Sequence, residues 1–170
     1  MCNRINLTVL TLTALLFITG CASYRFTSKV PAELRSIAVP VFENESDFPE
    51  LDAIVTQYTL REFQREGTFK IKSTQDAAYK LIGVVTQAKP TALNYNRNYD
   101  SRTSEYQHNV IVKITLIEKS TGKVLINDMP INAKTSFLTQ GDMLTGIQNA
   151  SPRIAKELAQ SIVDTVLSQW

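Results

Sequence analysis

Little in this sequence can support catalysis or metal binding. The 170 residues hold a single histidine, two cysteines and six glycines that are scattered rather than grouped. A zinc site draws its three or four ligands from clustered His, Cys or carboxylates, and a thiol nucleophile needs a base beside it. A phosphate cradle needs a glycine-rich loop, and none is present. Glu43 and Glu45 stand two apart, but nothing fixes their separation, so they read as solvated loop acids. His108 lies in an alternating segment and reads as a strand-surface histidine. No excess of one charge is present either: 18 basic and 16 acidic residues leave a net charge of +2. That balance argues against nucleic-acid binding and polybasic membrane attraction. With no repeat and no low-complexity tract, the chain is expected to be a non-enzymatic globule without metal or dissociable cofactor.

A long hydrophobic run is also missing. Leu7 to Thr19 contains only Leu, Val, Ala, Ile, Phe and Thr, which is short of the roughly 20 apolar residues that span a bilayer. Preceded by Arg4 and followed by small residues, it has the layout of a secretory signal peptide. The four residues Ile18, Thr19, Gly20 and Cys21 resemble the lipobox of bacterial lipoproteins. That resemblance implies removal of residues 1–20 and acyl chains on Cys21. The other cysteine, Cys2, is lost with the leader, so Cys21 has no disulfide partner. Each buried methylene contributes about 0.8 kcal/mol and several chains hold durably, which predicts membrane attachment. Ala22, where an aspartate would imply inner-membrane retention, implies the periplasmic face of the outer membrane.

Residues 21–33 are poor in core side chains and read as a tether leading into one domain, residues 34–170. Ser36 to Phe42 is the first predicted strand, with Ile37, Val39 and Val41 on one face and Pro40 marking an edge or an end. Leu51 to Glu66 has apolar residues at helical spacing, and Gly67 terminates it. Phe69 to Lys72 and Tyr79 to Ala88 read as strands. Tyr106 to Glu118 alternates strictly. Gly122 supplies a turn, and Val124 to Phe137 returns with a bulge or interruption near Pro130. Ile154 to Trp170 forms a second helix whose start falls either at Thr145 with Gln148 or at Ser151–Pro152. The order predicts an α+β two-layer sandwich, with two helices on one face of a mostly antiparallel or mixed four- to five-stranded sheet.

Between the second and third long strands, residues 89–105 are rich in Asn and Tyr and read as a long excursion with extended ends. Lys89, Arg97 and Arg102 there suit anionic groups, and Tyr95 and Tyr99 suit sugars or an acyl boundary. These five are the candidate contacts to an anionic lipid or a partner, weighed against an ordinary solvated loop.

Several segments in order resemble one family. They are C-A-S-Y-R-F after the leader, S-I-A-V-P-V-F-E-N, the end of the first helix at Leu60, Glu62 and Phe63, and D-A-A-Y-K-L-I-G. Glu105–Tyr106, S-T-G-K-V-L and E-L-A-x-x-I-V before Trp170 complete the set. Together they resemble the lipopolysaccharide-assembly lipoprotein family LptE. The resemblance implies a non-enzymatic partner that binds and plugs the outer-membrane β-barrel LptD, assists its assembly and helps deliver lipopolysaccharide to the outer leaflet. The alternative is a periplasmic regulator of a peptidoglycan synthase, similar to LpoB or the N-terminal part of TolB, which shares the I-A-V-x-x-F-E-N strand. Such regulators reach inward on long linkers, whereas about a dozen residues here span at most ~45 Å.

Overall fold

The computed structural model describes residues 30–94, 104–139 and 142–170. Cys21, Tyr95, Arg97, Tyr99 and Arg102 lie outside the described residues. Val30, within the segment expected to be a tether, is 2% exposed and belongs to the core. The chain then makes a 3-10 turn at Ala32–Leu34 and enters β1, Ser36–Ala38.

The first strand is shorter than its alternation suggested. Pro40 has no N–H to give a ladder, so pairing stops at Ala38 and resumes only at β2, Glu43–Asn44. The break resets the faces. Ile37 is fully buried, but Val41 is 67% exposed and Phe42 turns inward in its place. Ile37, Val39 and Val41 therefore do not share a face. The Phe42 amide donates to Thr56 Oγ1 at 2.9 Å, which fastens the crossing to the first helix.

That helix, α1, is Leu51–Glu66, and Gly67 ends it at φ 83° with its amide on the Phe63 carbonyl, a backbone position that favours glycine. Leu51, Val55 and Phe63 face the sheet. Thr56 and Thr59 are buried as well. Their hydroxyls donate to the carbonyls of Asp52 and Val55, so neither is left without a partner.

Four further elements follow: β3, Lys70–Ile71; β4, Tyr79–Asn94; β5, Ser104–Glu118; and β6, Val124–Thr139. The sheet order is β3-β1-β4-β5-β6, with β2 also pairing with β4. The count is six rather than four or five, because Glu43–Asn44, just beyond the expected end of the first strand at Phe42, pairs with β4 as a strand of its own. β1 is parallel to β3 and β4, whereas β4, β5 and β6 are antiparallel.

β4 runs six residues past its expected end at Ala88, so Lys89 to Asn94 belong to the sheet and not to a loop. Pro90, opposite His108, is tolerated because β2 leaves β4 after Val85 and β4 is an edge from there among the described residues. The β6 irregularity falls at Asp128, with φ 46°, just before Pro130. There β6 sets two residues against the single Thr115 of β5, between the pairs Ile114–Met129 and Leu116–Ile126.

The second helix, α2, is Met143–Leu167 and starts earlier than either expected position. Asp142 caps it, accepting from the amides of Leu144 at 3.0 Å and Thr145 at 3.2 Å. Pro152 therefore sits inside the helix. Packing against β6 holds this stretch in place: Arg153 donates through Nε to Thr135 Oγ1 at 2.6 Å, and Gly146, Ala150 and Ala155 are buried small residues on the packed side. The two helices also pack on one another, and together they cover one sheet face.

The core lies between the layers. Val110, Val112, Ile114 and Leu116 of β5 meet Ile154, Leu158 and Ile162 of α2, all of them fully buried. At the end where β4 begins, Phe69 contacts Phe63, Tyr79 and Trp170 with ring centroids 5.3 to 6.3 Å apart. His108 was expected on the strand surface. It instead follows the alternation inward and is 0% exposed, because α2, which begins at Met143, and the loop before α1 lie over it.

Candidate functional site

Among the described residues the helices cover one face of the sheet and leave the other open. Cross-strand partners share a face, so the register places Lys89, Asn109 and Lys134 in one row across β4, β5 and β6. Their neighbours Ala88, Val110 and Ala133 point into the core, which fixes this row on the open side. Rows on either side carry Gln87, Ile111 and Asn132, and Thr91, Gln107 and Ser136. The surface is therefore mostly amide and hydroxyl, with lysines set into it.

Lys89 and Lys134 are both exposed. Only β5 lies between them, so they stand two strand spacings or about 10 Å apart, and no carboxylate among the described residues forms an ion pair with either. Between them Asn109 Oδ1 is buried without a hydrogen-bond partner. Lys80 and Lys113 extend the positive charge along the same face, opposed by Glu105 and by Asp128, which bonds Thr115. Two ammonium groups at this separation, on a rigid sheet, can grip an oxyanion or two neighbouring ones.

Of the five contacts expected from sequence, the structure describes only Lys89, and it moves that residue from a loop onto a strand. Lys134 and Asn109 were missed. The signal was in the alternation, since each follows or precedes a buried residue in a strand whose partner register would have brought them together. Among the described residues no group of three or more His, Cys, Asp or Glu is placed to hold a metal ion. No helix among them is long and apolar enough to cross a membrane.

The same two-layer arrangement recurs in solved structures of low sequence identity. A hypothetical protein from Chlamydia trachomatis superposes with a TM-score of 0.57 at 11% identity, over 79% of this chain and 96% of that one. A minor lipoprotein from Acinetobacter baumannii gives 0.52 at 12%, over 79% and 94%. A protein from Xanthomonas campestris gives 0.51 at 12%, over 82% and 90%. These likenesses define the fold class, an α+β sandwich with an open mixed sheet. No curated protein matches the chain in sequence. Residues 34–169 match the LptE family, described as lipopolysaccharide-assembly, and the chain belongs to that family of non-enzymatic lipoproteins.

Proposed function

We propose that the protein is a non-enzymatic outer-membrane lipoprotein, held at the periplasmic face by acyl chains on Cys21 once residues 1–20 are removed. It binds and plugs the LptD β-barrel, assists the barrel's assembly and helps deliver lipopolysaccharide to the outer leaflet. The observation that carries this reading is the family match across residues 34–169. The open sheet face supports it: an amide-rich polar surface suits a polar barrel lumen, and the Lys89–Lys134 pair suits the phosphates of lipopolysaccharide. Tyr95, Arg97, Tyr99 and Arg102 follow Lys89 in sequence and remain candidate contacts. The anchor, the tether and the domain boundary at residue 34 are part of the same proposal.

A mild-detergent pull-down of the tagged lipoprotein from its own membranes tests the partner. A large outer-membrane barrel at stoichiometric yield is expected. Recovery of a peptidoglycan synthase without a barrel would overturn the reading in favour of the regulator. Replacing Lys89 and Lys134 together by Ala should weaken lipopolysaccharide retention about tenfold, the sum of two exposed charge contacts. The barrel should still be captured by that variant.

A further inference from the structure

A cavity of about 350 Å³ lies on the helix side of the sheet, at the opposite face from the lysine row. The loop before α1 and the first turns of both helices enclose it. Phe48, Leu51, Ile54, Leu144 and Ile147 make its walls apolar, and the ring of His108 forms part of the lining. That volume is at the small end of ligand sites and holds about a dozen non-hydrogen atoms at ~30 Å³ each.

His108 is what makes this more than a packing gap. Its side chain is 0% exposed, and neither Nδ1 nor Nε2 has a hydrogen-bond partner among the described residues. The nearest ring, Phe48, stands edge-on with centroids 5.3 Å apart and satisfies neither nitrogen. Ser151 also lines the cavity, but its hydroxyl donates to the Ile147 carbonyl at 2.8 Å. Native interiors seldom leave two such groups bare, and since a water-sized atom in the cavity as it stands reaches neither nitrogen, an outside polar atom bonds the ring once the edge-on Phe48 turns aside.

The chemistry of that atom follows from the ring. Burial lowers the His108 pKa and favours the neutral imidazole, which has one N–H donor and one bare nitrogen acceptor. A carboxylate can only accept, and Glu50 at the rim with Asp52 in the first turn of α1 would repel it. A hydroxyl can accept from the N–H or donate to the bare nitrogen. The remaining surface is apolar and suits methylenes. Glu50 itself holds φ 65° without making a side-chain cap, an uncommon backbone for a non-glycine residue, and such strain gathers at ligand clamps. Leu144, 58% exposed, stands over the same cavity.

From these features we infer that the cavity binds a single uncharged alkyl chain bearing a hydroxyl group, with the hydroxyl hydrogen-bonded to His108. This goes beyond the assembly role and uses none of the residues assigned to it.

The sequence provides its own probe, because His108 is the only histidine. Labelling histidine alone with ¹⁵N therefore gives one pair of ring-nitrogen signals, measured on residues 22–170, which keep every described element and the whole described core. Titration with 1-decanol should shift these signals to saturation, while decane and decanoate should bind about tenfold more weakly or less. Leu144→Trp, at an exposed position, should fill the mouth and weaken decanol about tenfold. His108→Phe, read by ligand-observed saturation transfer, should bind decanol and decane equally. Circular dichroism and Trp170 fluorescence establish that each variant is folded. An absent or non-saturating response, an unchanged one in Leu144→Trp, or ring nitrogens already bonded to a water that decanol does not displace would each overturn the inference.

Discussion

A methyl group added at Gly83 tests how the two layers are joined. This glycine lies in β4 with the Phe42 ring directly over its Cα, and a Cβ built there would stand 2.5 to 2.6 Å from three ring carbons. One of the three is Cγ, so the collision cannot be relieved by swinging the far end of the ring. Phe42 as a whole must move. It is 3% exposed, and its amide holds Thr56 on α1, so a shift disturbs the contact between the Pro40 crossing and the helix. Overpacking of this kind costs about 1 to 3 kcal/mol. Alanine recovers about 0.5 to 1 kcal/mol through its lower strand entropy. The net expectation for Gly83→Ala is a loss of roughly 0.5 to 2 kcal/mol. Urea unfolding followed by Trp170 fluorescence measures it, since the indole packs on Phe69 and Tyr79. Phe42→Leu should then rescue part of the loss, making the double variant more stable than the sum of the singles predicts. Gly83→Ala at or above wild-type stability, or strict additivity with Phe42→Leu, would refute the argument.

Three further outcomes follow from the same structure. Because burial lowers the His108 pKa in the native state, the unfolded chain takes up its proton first as pH falls. Stability should therefore decline below about pH 6.5 by up to ~1.4 kcal/mol per unit until the native imidazole also protonates. Urea midpoints across pH should show this in the wild type, and His108→Phe should remove that component. Phe63→Ala, at a fully buried ring against Phe69, should cost about 3 to 5 kcal/mol and shift the urea midpoint without changing its slope. Arg153→Ala removes the bonds from α2 to Thr135 Oγ1 and the Ser136 carbonyl. Hydrogen exchange should then accelerate in β6 between 133 and 137, while the amides of β1 keep their protection.

Much of the architecture could be read from side-chain period. Leu51–Glu66 was legible to the residue because its apolar stripe and Gly67 agree, and β5 because its alternation never breaks. The misreadings share one cause, which is that neighbours decided what local sequence left open. The first strand was carried to Phe42, although Pro40 marked an edge or an end, because the alternation of Ile37, Val39 and Val41 continues across it. α2 looked shorter because Ser151–Pro152 is a good start in isolation, and only the β6 contacts of Arg153 and the small residues explain a proline carried inside a helix. His108 was weighed by what it lacked in ligands, although its place in the alternation already put it with the core residues. The lysine row was invisible because Lys89 and Lys134 are 45 positions apart in sequence, and register alone brings them into line.

The length of the hairpin strands sets a scale for the whole molecule. β4 and β6 each run sixteen residues, up to about 50 Å against the ~30 Å hydrocarbon depth of a bilayer. The parallel pairing of β1 with the first residues of β4 puts the N-terminal side of the domain at one end of that length, and Trp170 packs on Tyr79 at the same end. Leu93 and Leu138, both exposed, mark the other end. A body with β1 and Trp170 at its foot and an apolar crest more than one bilayer core away is polarised like a piston. A reporter fused after Trp170 would stand at the end where β1 begins, whereas one placed beside Leu138 would stand at the far end.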